Sequence, residues 1–231
     1  MTHAALPSAF RVRSFVRRGR QTAAQQAAYS AIWSQVGLLI EQGLLANDHF
    51  GRSAPRLFEI GFGSGQSLLA LAQAYPQWDF IGVETHRPGI GAVCLGIQTH
   101  ALTNLHLYEA DAIDVLQTCI PDEYLTSIQL FFPDPWPKRR HHVRRLIQSD
   151  FVQLVVAKLI MHGTLHLATD WEDYAYQMMR VLSAIPALEN RAQHGQFAER
   201  SLYRPTLTKF EQRAKREGRQ IWELQFRKIN I

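Results

Sequence analysis

From Arg56 onward, short apolar runs alternate with amphipathic stretches, the pattern that βα units of a parallel sheet produce. The first run, Leu57-Phe58-Glu59-Ile60, ends in a glycine-rich turn. A helix is predicted from about Gln66 to Ala74, stopped by Tyr75-Pro76. The next strand, Phe80 to Val83, ends at Glu84. A helix from Pro88 to His100 follows it, with Pro88 suited to the first turn. Leu105 to Tyr108 reads as a third strand, leading to Ala110-Asp111. Ser127 to Phe132 is nearly all apolar, as a strand covered on both faces requires. Phe151, Leu154, Val155, Leu159 and Ile160 recur at helical spacing, so a buried helix is predicted from Phe151 to Met161. Thr164 to Ala168 is a fifth strand, Glu172 to Leu182 a helix, and Ile221 to Phe226 a late strand that fits an antiparallel position. The first 50 residues carry a basic arm and a leading helix, and residues 51–231 are expected to form one domain.

Composition narrows the classes. With 231 residues, 46% hydrophobic and 19% charged, the chain can bury a core of its own and does not resemble a disordered tail. No stretch approaches the roughly 20 apolar residues that span a bilayer, so no membrane association is expected. The two cysteines, Cys94 and Cys119, allow one disulfide at most and exclude a four-thiolate zinc site. His141 and His142 are adjacent and cannot ligate as an i, i+4 pair, so no metal is expected. A reducing, cytoplasmic setting is the default.

The net charge of +5 hints at a polyanionic partner, and its placement says more. No acidic residue occurs from Met1 to Ile40, where Arg11, Arg13, Arg17, Arg18 and Arg20 cluster. A second block is Lys138-Arg139-Arg140-His141-His142-Val143-Arg144-Arg145, and a third runs from Arg204 through Arg219. The first block reads either as an arm that folds onto RNA or as a transit peptide.

Candidate chemistry sits at the predicted strand ends. The turn Glu59-Ile60-Gly61-Phe62-Gly63-Ser64-Gly65 follows a strand and opens a helix. Its G-x-G-x-G spacing departs from the dinucleotide fingerprint, and Glu59 would repel a phosphate but hold an ammonium group. Glu84, at the next strand end, is placed to accept hydrogen bonds from a ribose diol. Asp111, at the third, suits an adenine amino group. A ligand with a cation, a diol and an adenine is S-adenosylmethionine. The bland alternative is that strand-end acids are ordinary helix caps. The densest segment is Phe131-Phe132-Pro133-Asp134-Pro135-Trp136-Pro137-Lys138-Arg139-Arg140. Its prolines fix where Asp134 and Trp136 point. The indole offers a stacking face for a base, and the basic run is suited to phosphates.

These segments resemble the bacterial tRNA (guanine-N7-)-methyltransferase family. The matching stretches are EIGFGSG at Glu59 to Gly65, GVETH at Gly82 to His86, EADA at Glu109 to Ala112, FFPDPWPKRRHHVRR at Phe131 to Arg145, ATDW at Ala168 to Trp171 and TKFEQR at Thr208 to Arg213. They occur in order and span most of the chain from residue 56, and an SFVRRGRQT stretch at Ser14 to Thr22 adds to them.

The resemblance implies an α/β class I S-adenosylmethionine-dependent methyltransferase fold, a doubly wound, mostly parallel seven-stranded sheet with a late antiparallel strand. It implies methyl transfer to N7 of a guanosine in the tRNA variable loop. By it, Glu59, Gly61, Gly63, Glu84, Asp111 and Asp134 contact the donor, and Asp134 is the catalytic residue. Lys138, Asp170, Thr208, Lys209, Phe210 and Glu211 contact the guanosine. Arg140, His141, His142, Arg144 and Arg145 lie along the RNA. The expected partner is tRNA, and the protein itself a monomer or homodimer. Three rivals remain on the residues alone. A small-molecule methyltransferase leaves the basic blocks unexplained. An RNA-binding protein with an inactive transferase fold sits poorly with four acids in register. A nicotinamide oxidoreductase is disfavoured by the glycine spacing.

Overall fold

A computed structural model of the chain describes residues 19–46, 49–201, 204 and 206–230. Arg11, Arg13, Arg17 and Arg18 of the expected basic arm lie outside them. Helix α1 spans Ala23–Val36 and starts on a reciprocal cap: the Thr22 hydroxyl accepts the Gln25 N–H, and the Gln25 side chain accepts the Thr22 N–H. It runs into a two-residue strand β1, Gly37–Leu38. Then follow β2 (Arg56–Ile60), α2 (Gln66–Ala74), β3 (Asp79–Glu84), α3 (Arg87–His100), β4 (Leu105–Glu109), α4 (Ala112–Thr118) and β5 (Leu125–Phe131). The second half carries α5 (Ser149–Lys158), β6 (Leu159–Thr169), α6 (Glu172–Ser183), β7 (Leu188–Asn190), α7 (Lys209–Arg216) and β8 (Trp222–Lys228).

The strands form one sheet in the order β1-β4-β3-β2-β5-β6-β8-β7. Its pairs are parallel up to β6, and β8 runs antiparallel to both β6 and β7. This is the mixed doubly wound sheet expected, with the short edge strand β1 bringing the count from seven to eight. Alternation along β2 divides the core. Phe58 and Ile60 face a cluster with Val115, Phe151, Val155, Tyr174 and Met178 from α4, α5 and α6. Leu57 faces the other way, toward Ile32, Leu68, Leu71, Ile90 and Val93 from α1, α2 and α3. Helix α1 packs on α3 and β1 pairs with β4, so the leading helix is packed against the elements of the sheet.

One element differs from its predicted type. Leu159, Ile160 and Met161 were expected to end a helix, yet they open β6, because Leu159 pairs with Leu125 across the sheet. The register then jumps to Ser127 opposite Thr164, so residues 160–163 bulge. His162 takes φ 63° there. Strand pairing outweighed a helical pattern that was itself ambiguous. The order of strands reverses between β2 and β5, which opens a crevice at their carboxyl ends.

Candidate active site

The crevice holds a cavity of about 510 Å³, lined by Glu59, Gly61, Gly63, Glu84, Asp111, Asp134, Thr208, Lys209 and Phe210 among others. Six predicted donor residues and three predicted base residues therefore share one space.

Its floor is the glycine turn. Gly61, Gly63 and Gly65 have φ of 67°, 57° and 69°, a region that side chains with a Cβ rarely adopt. Nothing lies within 4 Å of where a Cβ would project from Gly61 or Gly63, so their backbone borders open space. At Gly65 a Cβ would come within 2.0 Å of Val93, and at Gly89, on α3, within 2.0 Å of the Gly63 carbonyl oxygen. Turn and helix α3 thus meet backbone to backbone.

The acids are held differently. The Glu84 carboxylate accepts the Gly63 N–H at 2.8 Å, the Thr85 N–H at 2.7 Å and the His86 N–H at 3.0 Å, which fixes its direction. Asp111 caps α4 by accepting the Ile113 N–H at 2.9 Å, and it also lines the cavity. Glu59 is 4% exposed, and its Oε2 has no hydrogen-bond partner. Burial pushes its pKa up to about 8, against the pull of Arg204 and with the repulsion of Glu84. A buried, unsatisfied carboxylate oxygen facing a cavity is suited to a cationic ligand.

The proline segment leaves β5 as the wall opposite. Phe132 and Trp136 take φ of 53° and 45°, strained values that bracket Pro133-Asp134-Pro135. Asp134 is exposed and lines the cavity. The loop is pinned from beneath by Arg145, whose guanidinium donates to the Pro135 carbonyl at 2.8 Å, to Gln177 at 2.6 Å and to Asp173 at 2.7 Å. Arg145 is 1% exposed. It supports the loop and cannot lie along an RNA, which corrects its expected role. Its neighbour Arg144 is exposed and sets its guanidinium 5.0 Å from the Trp136 ring centroid.

The third wall is the start of α7. Thr208 caps it reciprocally with Glu211. Phe210 stacks on Phe132 at 6.0 Å and 14°, and the residue is 47% exposed. Glu211 was expected to touch guanosine. It is buried instead and bound to Arg204 at 2.6 Å and Arg200 at 3.0 Å, so it anchors the segment. Asp170, at the end of β6, is bound to Arg219 at 2.9 Å. Lys138, Arg139 and Arg140 are exposed. His142 lies 3.7 Å from Asp173, and His141 meets Trp136 edge-on. The site is acidic within the cavity and basic at Lys138–Arg144. Among the described residues no group of three His, Cys, Asp or Glu could hold a metal, and no helix is long and apolar enough to cross a membrane. Cys94 and Cys119 are free and buried.

Three contributors escaped the sequence reading. Gln25 of α1 lines the cavity without any local signal. Gly89 shows only as a small residue after Pro88. Arg204 belongs to the third basic block of the sequence, yet it is 1% exposed.

A family model described as "Putative methyltransferase" matches residues 53–224. The chain is 49% identical to the tRNA (guanine-N(7)-)-methyltransferase of Ectopseudomonas mendocina over 219 residues, covering 94% of this chain and 92% of that protein. It is also 49% identical to the protein of the same name from Alcanivorax borkumensis over 220 residues, with 94% and 92% covered. Among solved structures, the 16S rRNA methyltransferase KamB superposes with a TM-score of 0.59 at 12% identity, over 80% of this chain and 95% of that one, a likeness of fold alone.

Proposed function

The chain belongs to the tRNA (guanine-N7-)-methyltransferase family, and from that premise we propose that it methylates N7 of a guanosine in the tRNA variable loop, with S-adenosylmethionine as donor. The observation that carries this reading is the shared cavity: Asp134 lines the same space as the donor-type residues Glu59, Gly61, Gly63 and Glu84 and the base-type residues Thr208 to Phe210. The donor supplies an electrophilic methyl group on a sulfonium. Glu59 holds its ammonium group, Glu84 the ribose hydroxyls and Asp111 the adenine amino group.

N7 of guanine bears an in-plane lone pair and no proton, so no residue has to remove one before attack. Catalysis then rests on positioning and electrostatics. Asp134 accepts hydrogen bonds from donors at the guanine edge and offsets the positive charge that develops on the purine. Trp136 and Phe210 offer the aromatic faces for a base turned out of its stack. Lys138, Arg139, Arg140 and Arg144 take phosphates. Residues 51–231 carry the catalytic domain, the basic start adds positive charge for an RNA partner, and the work is cytoplasmic. An inactive transferase fold is disfavoured because all four acids meet in one cavity.

Nucleoside mass spectrometry of tRNA incubated with protein and donor should show 7-methylguanosine. A different methylated nucleoside, or none, would remove this reading. With about four phosphate contacts, tRNA affinity should drop roughly a hundredfold between about 50 and 200 mM salt. A flat salt dependence would contradict the RNA surface.

Glu59 adds a pH signature. Its pKa near 8 leaves much of it protonated at neutral pH. A bound ammonium favours the ionised form, so donor binding below pH 8 releases a proton, and affinity rises as pH approaches 8. Calorimetry in buffers of different ionisation enthalpy should detect that proton in the wild type and lose it in Glu59→Gln.

A further inference from the structure

On the side of the sheet that carries Glu59, the central rows turn polar. Glu59, Gln129 and His166 stand in register across β2, β5 and β6. His166 contacts Glu223 at 2.7 Å, and Glu223 binds the buried guanidinium of Arg204. Arg204 binds Glu211 at 2.6 Å, and Glu211 closes the cap on Thr208. The same guanidinium lies 4.8 Å from the Phe131 ring centroid and 5.4 Å from that of Phe132, the residues that lead into Pro133-Asp134.

Each of these contacts reaches a different part of the site. Two buried carboxylates on separate elements, α7 and β8, are neutralised by one planar fork, a task a point-charge ammonium performs poorly. We propose that Arg204 is a positioning residue that couples closure of Thr208–Phe210 on a base to the donor side of the cavity. It rests on the methyltransferase reading above. Pressure of a base on Thr208–Phe210 passes through Glu211 to the guanidinium. Its displacement changes the positive charge felt by Glu59 and the support beneath Phe132. The pull of Arg204 on the Glu59 carboxyl agrees with that path.

The test measures the affinity of S-adenosylhomocysteine with and without tRNA, alongside the tRNA KM, for wild type and Arg204→Lys. The wild type should bind the nucleoside about tenfold tighter with tRNA present. In Arg204→Lys this ratio should fall below about twofold and the tRNA KM should rise about tenfold, while affinity without tRNA changes less than about threefold. A purely structural role would lower all three affinities together and overturn the inference. So would a ratio in Arg204→Lys equal to that of the wild type, or a wild type with no coupling. If Arg204→Lys does not fold, Glu211→Gln, which keeps the cap and a neutral hydrogen bond, should show the same loss of coupling, and retained coupling there overturns the inference. A wild type that puts no methyl group into tRNA defeats the function itself. A wild type that methylates tRNA beside a fully coupled variant defeats only the role of Arg204.

Discussion

Asp134→Asn should lower the rate of methyl transfer to tRNA by at least about a hundredfold, the scale seen when a preorganised electrostatic contact is removed from an active site. The substitution is isosteric and takes away only the charge. Asp134 is exposed, so the fold loses no buried contact and the melting temperature should hold. Donor binding should stay measurable, because Glu59, Glu84 and Asp111 are untouched. On the proposed mechanism the effect lies in the attack itself, in which the purine would gain positive charge beside the carboxylate. The loop makes that charge count: strained backbone at Phe132 and Trp136 and the Arg145 bond to the Pro135 carbonyl hold the segment in one conformation. Single-turnover kinetics with saturating tRNA measures the step directly. A wild-type rate for the asparagine variant would show that Asp134 does not act on the reacting base.

Much of this site could be read along the chain because its acids stand at strand ends, and strand ends of a parallel sheet share one edge. Glu59, Glu84 and Asp111 follow from three short apolar runs, and helix α2 begins and ends where Gly65 and Tyr75-Pro76 place it. The misreadings have a common cause. Arg144 and Arg145 are adjacent in the same basic run, yet the turn of the short 3-10 helix over Arg139–Arg144 leaves one exposed and the next buried against Asp173 and Gln177. Nothing local distinguishes them, since the partners of Arg145 lie about thirty residues away on α6. Arg204 and Glu211 are hidden for the same reason: a charged residue reads as surface until its buried partner is known. Helix α7 illustrates the limit, because its buried residues are Glu211 and Ala214, too few to give an apolar stripe.

Gly89→Ala should abolish measurable donor binding, a loss of a hundredfold or more, although residue 89 offers no side chain to the donor. In wild type the first turn of α3 packs directly on the glycine turn, and an added Cβ would sit 2.0 Å from the Gly63 carbonyl oxygen. That neighbour is backbone and cannot rotate away. Either α3 retreats or Gly63 shifts, and a shift of Gly63 breaks the 2.8 Å bond that aims the Glu84 carboxylate. Overpacking of this kind costs about 1–3 kcal/mol of stability, so a destabilised fold has to be separated from a displaced turn. Gly96 on the same helix provides the control. The atoms nearest its added Cβ belong to the side chain of Leu69, the first at 2.4 Å, so the strain falls between α2 and α3. Gly96→Ala should therefore lose stability of the same order yet bind donor within about threefold of wild type. Denaturant unfolding and calorimetry on both variants decide the matter. Equal loss of donor affinity would mean that general destabilisation empties the site, whereas loss confined to Gly89→Ala would locate the effect in the contact between α3 and the turn.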